Sequence, residues 1–385
     1  MKGIKLGLFA ILMSLNAVLS TGCWNYREID DVDIVAGVAV DKGTTAKYLV
    51  TVEIVQVSGG RESKTSSDII SIEGESMFDA ARNQIAVSGK RLYWAHSKVI
   101  IISEDIAREG LLDVIDWYLR DAETREDVNI LVSRADTARE ILVESMEDKA
   151  ERKVKSFELE NIINNQRSLS KAPNIQVWEL INRISKEGYS TVAPTVSIKK
   201  EDGKKIPQII GTAIFEGDKL IGFINGQETQ EMLIVQNELK GGVLIGKTKN
   251  AGSSAALEIF SCKAKIKPIV NGNSIHIRVS IDMTTAIDEI DSAADLIGEE
   301  GRKDLEQGTE AMLEKQIGEL IKKIQSDYGA DIFGFGRKVM ENNPEVWRGV
   351  GKNWKKEFEN LKVSVDVNVH IKNSAVLSKP LKVGD

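Results

Sequence analysis

The apolar positions follow three rhythms along the chain. Leu6 to Leu19 is one apolar run, interrupted only by Asn16 among strongly polar residues and preceded by Lys2 and Lys5. Past it, β-branched runs at 32–41 and 48–57 flank Lys42-Gly43-Thr44-Thr45, which predicts a hairpin. Both runs are apolar beyond strict alternation, so both faces should be covered. The polar stretch 58–68 (SGGRESKTSSD) predicts a solvent loop. Ser76 can cap a helix whose apolar face holds Phe78, Ala81, Ile85 and Ala86. A buried strand is predicted over 92–102, then a helix opening at Ser103-Glu104-Asp105 and continuing into a periodic stretch with Leu111, Leu112, Ile115 and Leu119. A strand at 127–132, helices at 137–145, 157–165 and 177–184, and a strand at 191–198 complete this half.

The charged segment 199–207 (KKEDGKKIP) is the predicted boundary. Beyond it come a hairpin over 208–224, a helix at 229–239, a short strand at 241–245 and a Gly/Ser loop at 247–255. Phe260, Cys262, Ala264 and Ile266 alternate with Ser261, Lys263, Lys265 and Lys267; Ile275, Ile277, Val279, Ile281 and Met283 alternate with His276, Arg278, Ser280 and Asp282. The parity predicts an antiparallel pair turning at 270–273, with the first set of each strand buried. A long amphipathic helix over 303–326, carrying Leu305, Met312, Leu313, Ile317, Leu320, Ile321 and Ile324, should lie across this sheet. A turn at 331–337, a helix starting at Pro344 with Trp347, Trp354 and Phe358 on one face, and a strand at 361–371 end the pattern. The fold class expected is α+β, in two to three mixed domains with antiparallel sheets packed by helices: a removed leader at 1–22, an N-terminal region at 23–200 divisible in two, and a C-terminal domain at 201–385.

The leader changes the picture from fold to location. Its apolar run is shorter than the roughly 20 residues a bilayer core requires, and its basic start and small residues before Cys23 fit a cleaved export signal. Ser20-Thr21-Gly22-Cys23 is similar to a lipobox, with Leu19 one position further back than usual. Cys23 is therefore the candidate lipidation site, an S-diacylglycerol cysteine open to N-acylation. Of the aromatics that follow, Trp24 and Tyr26 suit packing beneath the first domain or a headgroup layer.

Composition mostly excludes. The formal charge is −7, which leaves nucleic acid without an electrostatic driving force and argues against attraction to anionic lipid. There are two cysteines; with Cys23 lipidated, Cys262 has no intramolecular partner and reads as a core residue. Three histidines, His96, His276 and His370, show no metal-ligand spacing, and no cysteine cluster exists. A G-x-S-x-G elbow is missing. The glycines at 331–337 follow a helix and have Val339 where a dinucleotide fingerprint needs glycine, which favours a tight turn. Asp288, Asp291 and Asp295 do not have the spacing of an EF-hand loop. No catalytic residue, metal site or cofactor is expected, and the chain is not read as an enzyme.

Four groups of residues, in this order, resemble one family: Gly22-Cys23-Trp24-Asn25 with Arg27-Glu28-Ile29, Gly211-Thr212-Ala213-Ile214-Phe215, the run 331–336, and Trp347 with Trp354 before a valine-rich strand. Together they resemble the Ger(x)C lipoproteins, the C subunits of nutrient germinant receptors of spore-forming bacteria. The Asn after Trp24 departs from an acidic residue common there. The resemblance implies a palmitate-type lipid anchor at Cys23, a place on the outer face of the spore inner membrane, and membrane-spanning A and B subunits as partners. It implies assembly and signal coupling in germination, with no chemistry of the chain's own. An extracytoplasmic solute-binding lipoprotein is the alternative, disfavoured by hairpins where βαβ lobes would be needed.

Overall fold

The computed structural model describes residues 2–19, 31–58, 64–143, 153–202, 204–250, 252–272, 274–291 and 295–372. The predicted lipidation site Cys23, the aromatic stretch after it, and positions 59–63 of the polar loop lie outside them. Helix α1 (Lys2–Leu19) has every side chain at 3–14 exposed, as an apolar segment unused by the folded body would. Among the described residues no helix is long and apolar enough to cross a membrane.

Strands β1 (Val32–Lys42) and β2 (Tyr48–Ser58) form the predicted hairpin. The described part of the expected loop at 58–68 is strand: Ser58 ends β2, and β3 (Lys64–Gly74) pairs along all of β2. Its hydroxyls suit an edge, and Ser71 Oγ meets Thr51 Oγ1 at 2.9 Å. Ser76 caps α2 (Met77–Asn83) as predicted, but Met77 and Ala80 face the core while Phe78 is exposed with Arg82 over its ring. After α3 (Ile85–Ser88) the predicted strand at 92–102 divides into β4 (Arg91–Tyr93) and β5 (Val99–Ile102), both parallel to β1. The break lets Trp94 turn inward, edge-on to Trp117 at 4.6 Å.

Helices α4 (Glu104–Glu109) and α5 (Leu112–Arg120) lead to β6 (Asn129–Ser133), and α6 (Arg139–Leu142), α7 (Lys155–Leu169) and α8 (Val177–Ile184) lead to β7 (Val192–Glu201). Strands β8 (Lys204–Glu216) and β9 (Lys219–Ile224) close a sheet ordered β3-β2-β1-β5-β6-β7-β8-β9, with β4 beside β1. Its centre, β1-β5-β6-β7, is parallel because helical crossovers return the chain to the same end each time. One face is covered by α2, α4, α5 and α8 and the other by α6 and α7, which is why β1 reads as nearly continuous apolar sequence. Two sheet carboxylates hold the helices of the second face. Asp41 takes the N–H groups of Ala138 and Arg139 at 2.6 and 2.9 Å, and Glu53 those of Lys155 and Ser156, both at 2.8 Å.

The segment 199–207, predicted as a break, is the tip of a hairpin in which Lys199 pairs with Ile206, so β7 and β8 run through it in one sheet. Helix α9 (Gly226–Val235) then leads to the second sheet, β10 (Val243–Lys247), β11 (Ser254–Asn271) and β12 (Ser274–Ile290). Helices α10 (Glu299–Asp327), α11 (Phe335–Asn342), α12 (Pro344–Val350) and α13 (Trp354–Glu359) cross over to β13 (Lys362–Lys372), parallel to β12. The predicted parity holds from Cys262 onward and fails at Phe260, which is 54% exposed. A β-bulge between Ile259 and Ser261 reverses the phase, so Ala255, Leu257 and Ile259 are buried before it and Cys262, Ala264 and Ile266 face inward after it.

Helix α10 does more than cover the sheet. Glu306, Glu310 and Glu314 accept the N–H groups of Ile371, Val369 and Val367 at 2.7, 2.9 and 3.0 Å. Four helical residues rise about 6.0 Å and two strand residues about 6.6 Å, so the two ladders stay in step. The outer edge of β13 is thereby closed by carboxylates.

Candidate functional site: the joint between the two halves

Three of the four residue groups singled out in the sequence belong to the described fold, and two of them meet where the halves join. Asp331 is 3% exposed and sits at the start of the turn before α11. Its Oδ1 accepts from Gly334 N and Phe335 N at 2.9 and 3.1 Å; its Oδ2 accepts from Gly336 N at 2.7 Å and from Trp354 Nε1 at 2.9 Å. One side chain thus satisfies the first amides of α11 and ties them to α13. Gly334 has φ 77°, a left-handed conformation that turns the chain back onto the carboxylate. Burial pushes Asp331 up to about 6, against the pull of these four donors.

The first half enters through 187–190. Ser190 N donates to Asp331 O at 2.8 Å, and Arg337 N to Gly188 O at 3.0 Å. Gly188, at φ 70°, and Gly336 face each other closely: a Cβ on Gly188 would lie 2.8 Å from the Gly336 carbonyl carbon, and one on Gly336 2.9 Å from Gly188 Cα. Trp347 and Trp354 roof the contact, with centroids 5.3 Å apart, and Trp347 Nε1 reaches Glu187 at 3.4 Å. Phe335 and Phe358 fill the floor.

A polar network widens the joint. Arg183 on α8 donates to Tyr189 Oη at 2.8 Å, to Glu179 at 2.6 Å and to Glu238 at 3.1 Å. Gln236, just past α9, donates to Tyr189 Oη at 3.0 Å and to Ile332 O at 2.6 Å. These groups border a cavity of about 350 Å³ whose rim includes Trp178 and Arg337. Burial raises the Tyr189 phenol, which stays neutral and accepts both donors. A second cavity of about 310 Å³ lies between α9, α10 and β10, beside Glu231, whose carboxyl is pushed up to about 7 by burial.

The remaining sequence candidates are dispersed. Gly211, at φ 94°, donates its N–H to Lys171 O, and Thr212 Oγ1 meets Thr229 Oγ1 at 2.8 Å, so this group ties β8 to α9 and to the chain after α7. Cys262 is half-buried with its thiol pushed up to about 12, chiefly by burial, which keeps it protonated. His96 is exposed against Tyr93, His276 bonds to Ser364, and His370 is exposed near Glu306. Asp295 Oδ1 accepts from Ile297 N and Gly298 N, stabilising the turn before α10. Sequence reasoning missed Arg183, Tyr189 and Gln236; each is an ordinary polar residue locally, and only the fold brings them together.

This arrangement holds two bodies in one register and offers no nucleophile with an adjacent base. Two family models match the chain. A family model described as "Spore germination protein N-terminal domain" matches residues 25–198, and one described as "Spore germination B3/GerAC like, C-terminal" matches 210–375. The spore germination protein YndF of Bacillus subtilis is 26% identical over 94% of this chain and 95% of its own length. Spore germination protein KC of the same organism is 25% identical over 97% of each chain, and protein B3 is 23% identical. The crystal structure of the GerBC protein superposes with a TM-score of 0.57 at 20% identity, covering 88% of this chain and 97% of that one, a likeness of fold.

Proposed function

The chain belongs to the spore germination B3/GerAC-like family, and on that premise we propose that it is the lipid-anchored C subunit of a nutrient germinant receptor, assembled with membrane-spanning A and B subunits. The observation that carries this is the joint. Asp331, Gly334, Gly336, Trp347 and Trp354 bind 187–190 of the first half so closely that a displacement at one half must be felt by the other. A coupling subunit needs that stiffness. Its anchor is a diacylglyceryl thioether on Cys23, with N-acylation as a further modification, and its place is the outer face of the spore inner membrane. The acyl chains hold it there at about 0.8 kcal/mol per buried methylene. It acts through assembly, without a cofactor.

Spores lacking this chain but keeping the A and B subunits are expected to lose the response to one nutrient class and retain germination by non-nutrient triggers. Normal nutrient germination of such spores would reject the assignment. Cys23→Ala should move the protein out of the carbonate-washed membrane fraction; retention would remove the anchor. Saturable micromolar binding of a labelled nutrient by this chain alone would favour a solute-binding lipoprotein instead.

A further inference from the structure

The outward face of the second sheet carries a charge pattern that the whole-chain balance conceals. Lys263, Lys265 and Lys267 of β11 are exposed, as are Arg278 of β12 and Lys362 of β13. Pairing aligns Lys263 with Asp282, Lys265 with Ser280 and then Asp366, and Lys267 with Arg278. Lys263, Lys265, Lys267, Arg278 and Lys362 thus gather at one end of this face with Asp282 and Asp366, while Glu258, exposed and paired with Val243, lies at the other end, in a chain of net charge −7. Asp366 lies 3.7 Å from Arg278, and Asp282 accepts from Asn368 at 3.3 Å. At the end of the lysine row the bulge turns Phe260 outward, and on the same side β10 exposes Val243 and Ile245, 49% and 53% accessible.

Lysines on an unpaired edge prevent edge-to-edge association, and β11 does run beyond β10, whose pairing stops at Glu258. That reason reaches Lys362 on the edge strand β13 but not Arg278, inside the sheet, and it has no use for an exposed phenylalanine. Lys267 directly opposite Arg278 is a like-charge pair, which weakens a sheet. The fold carries this cost where a neutral residue would serve.

We propose that this face rests on an anionic lipid bilayer, orienting the anchored protein on the membrane. The cations are spread over three strands, roughly 10 Å across the sheet and 20 Å along it, rather than converging on one cavity. Four of the five are lysines, point charges on flexible stems that suit a diffuse plane of headgroup phosphates better than one forked acceptor. Phe260, Val243 and Ile245 supply apolar side chains around Glu258 at the margin of the contact, where they reach the headgroup boundary. The low-charge expectation from composition fails locally because attraction depends on which residues share a face. The setting rests on the lipid-anchored assignment; the contact itself does not.

The test uses the full chain as processed in membranes, reconstituted in vesicles of phosphatidylcholine alone or mixed with phosphatidylglycerol. A water-soluble amine-acylating ester should modify Lys263, Lys265 and Lys267 at least about fivefold more slowly on the anionic vesicles. Lys199 and Lys200, at the exposed hairpin tip, should react equally on both. The variant K263E/K265E/K267E should lose the vesicle-dependent protection of Lys362, and high salt should erase it in the wild type. Equal reactivity on both vesicles, or protection that appears only when another receptor protein is added, would overturn the proposal. Loss of membrane attachment in Cys23→Ala reports the anchor alone, and loss of protection in the charge-reversed variant reports the face alone, so either can fail without the other.

Discussion

Asp331 satisfies four N–H donors with two oxygens, and removing it leaves all four in a dry site. Asp331→Ala is expected to cost about 3–5 kcal/mol, measured by urea unfolding, because buried unsatisfied donors carry their full desolvation penalty. Asp331→Asn, which keeps one accepting oxygen, should cost less. Asp331 and Glu231 also set a pH dependence. Burial raises them from 3.8 and 4.5 to about 6 and about 7, so the folded chain keeps protons that the unfolded chain releases. Stability should therefore fall as pH rises from about 4 to about 7 and level off above. Glu231→Gln should flatten the upper part of that slope while keeping an acceptor for Gln227, and an unchanged slope would show that Glu231 does not titrate there. The turn at 331–337 was legible in its glycines, but the partners of Asp331 were not, since Trp354 is 23 residues away and Ser190 is in the other half.

Among elements, β11 separates pattern from packing. Alternation places Phe260 with Cys262, yet one extra residue in the strand exposes it, and nothing in the local sequence marks the bulge. Phe260→Ala should change stability by no more than about 0.5 kcal/mol, whereas Ile259→Ala should cost about 2–5 kcal/mol. The reverse order in thermal denaturation would restore the simple parity. The α10–β13 ladder gives a second expectation. Glu310→Ala should lose about 1.5–3 kcal/mol by removing a charged acceptor from Val369 N. Replacing Glu306, Glu310 and Glu314 together by alanine should also open the edge and produce self-association on size exclusion. Helices α10 and α12 were readable because their periodicity and the N1 proline act within a few turns. Helix α2 was assigned the wrong face, since over two turns Phe78 and Met77 are equally plausible anchors.

At the scale of the molecule, β7 and β8 join the halves through one hairpin, and Lys355 of α13 reaches Glu216 of β8 at 2.6 Å. A fragment ending at 200 leaves β7 without its antiparallel neighbour; one ending at 224 keeps the whole first sheet. The longer fragment is expected to unfold cooperatively and the shorter to be degraded by limited proteolysis, a comparison that also tests where the N-terminal region ends. The sequence by itself determined most elements, the α+β class, the hydrophobic phase of the long strands outside the bulge, and the residue groups that resemble the germination family. These are consequences of periodicity and side-chain type, which act within a few residues of one another. Only the tertiary structure decided that the centre of the first sheet is parallel, that 64–68 belongs to an edge strand and that 199–207 is a hairpin. It also placed Arg183, Tyr189, Gln236 and Asp331 at one joint and five cations on one face. Those outcomes follow from which distant strands pair and in what register, and that choice belongs to the burial of the whole chain.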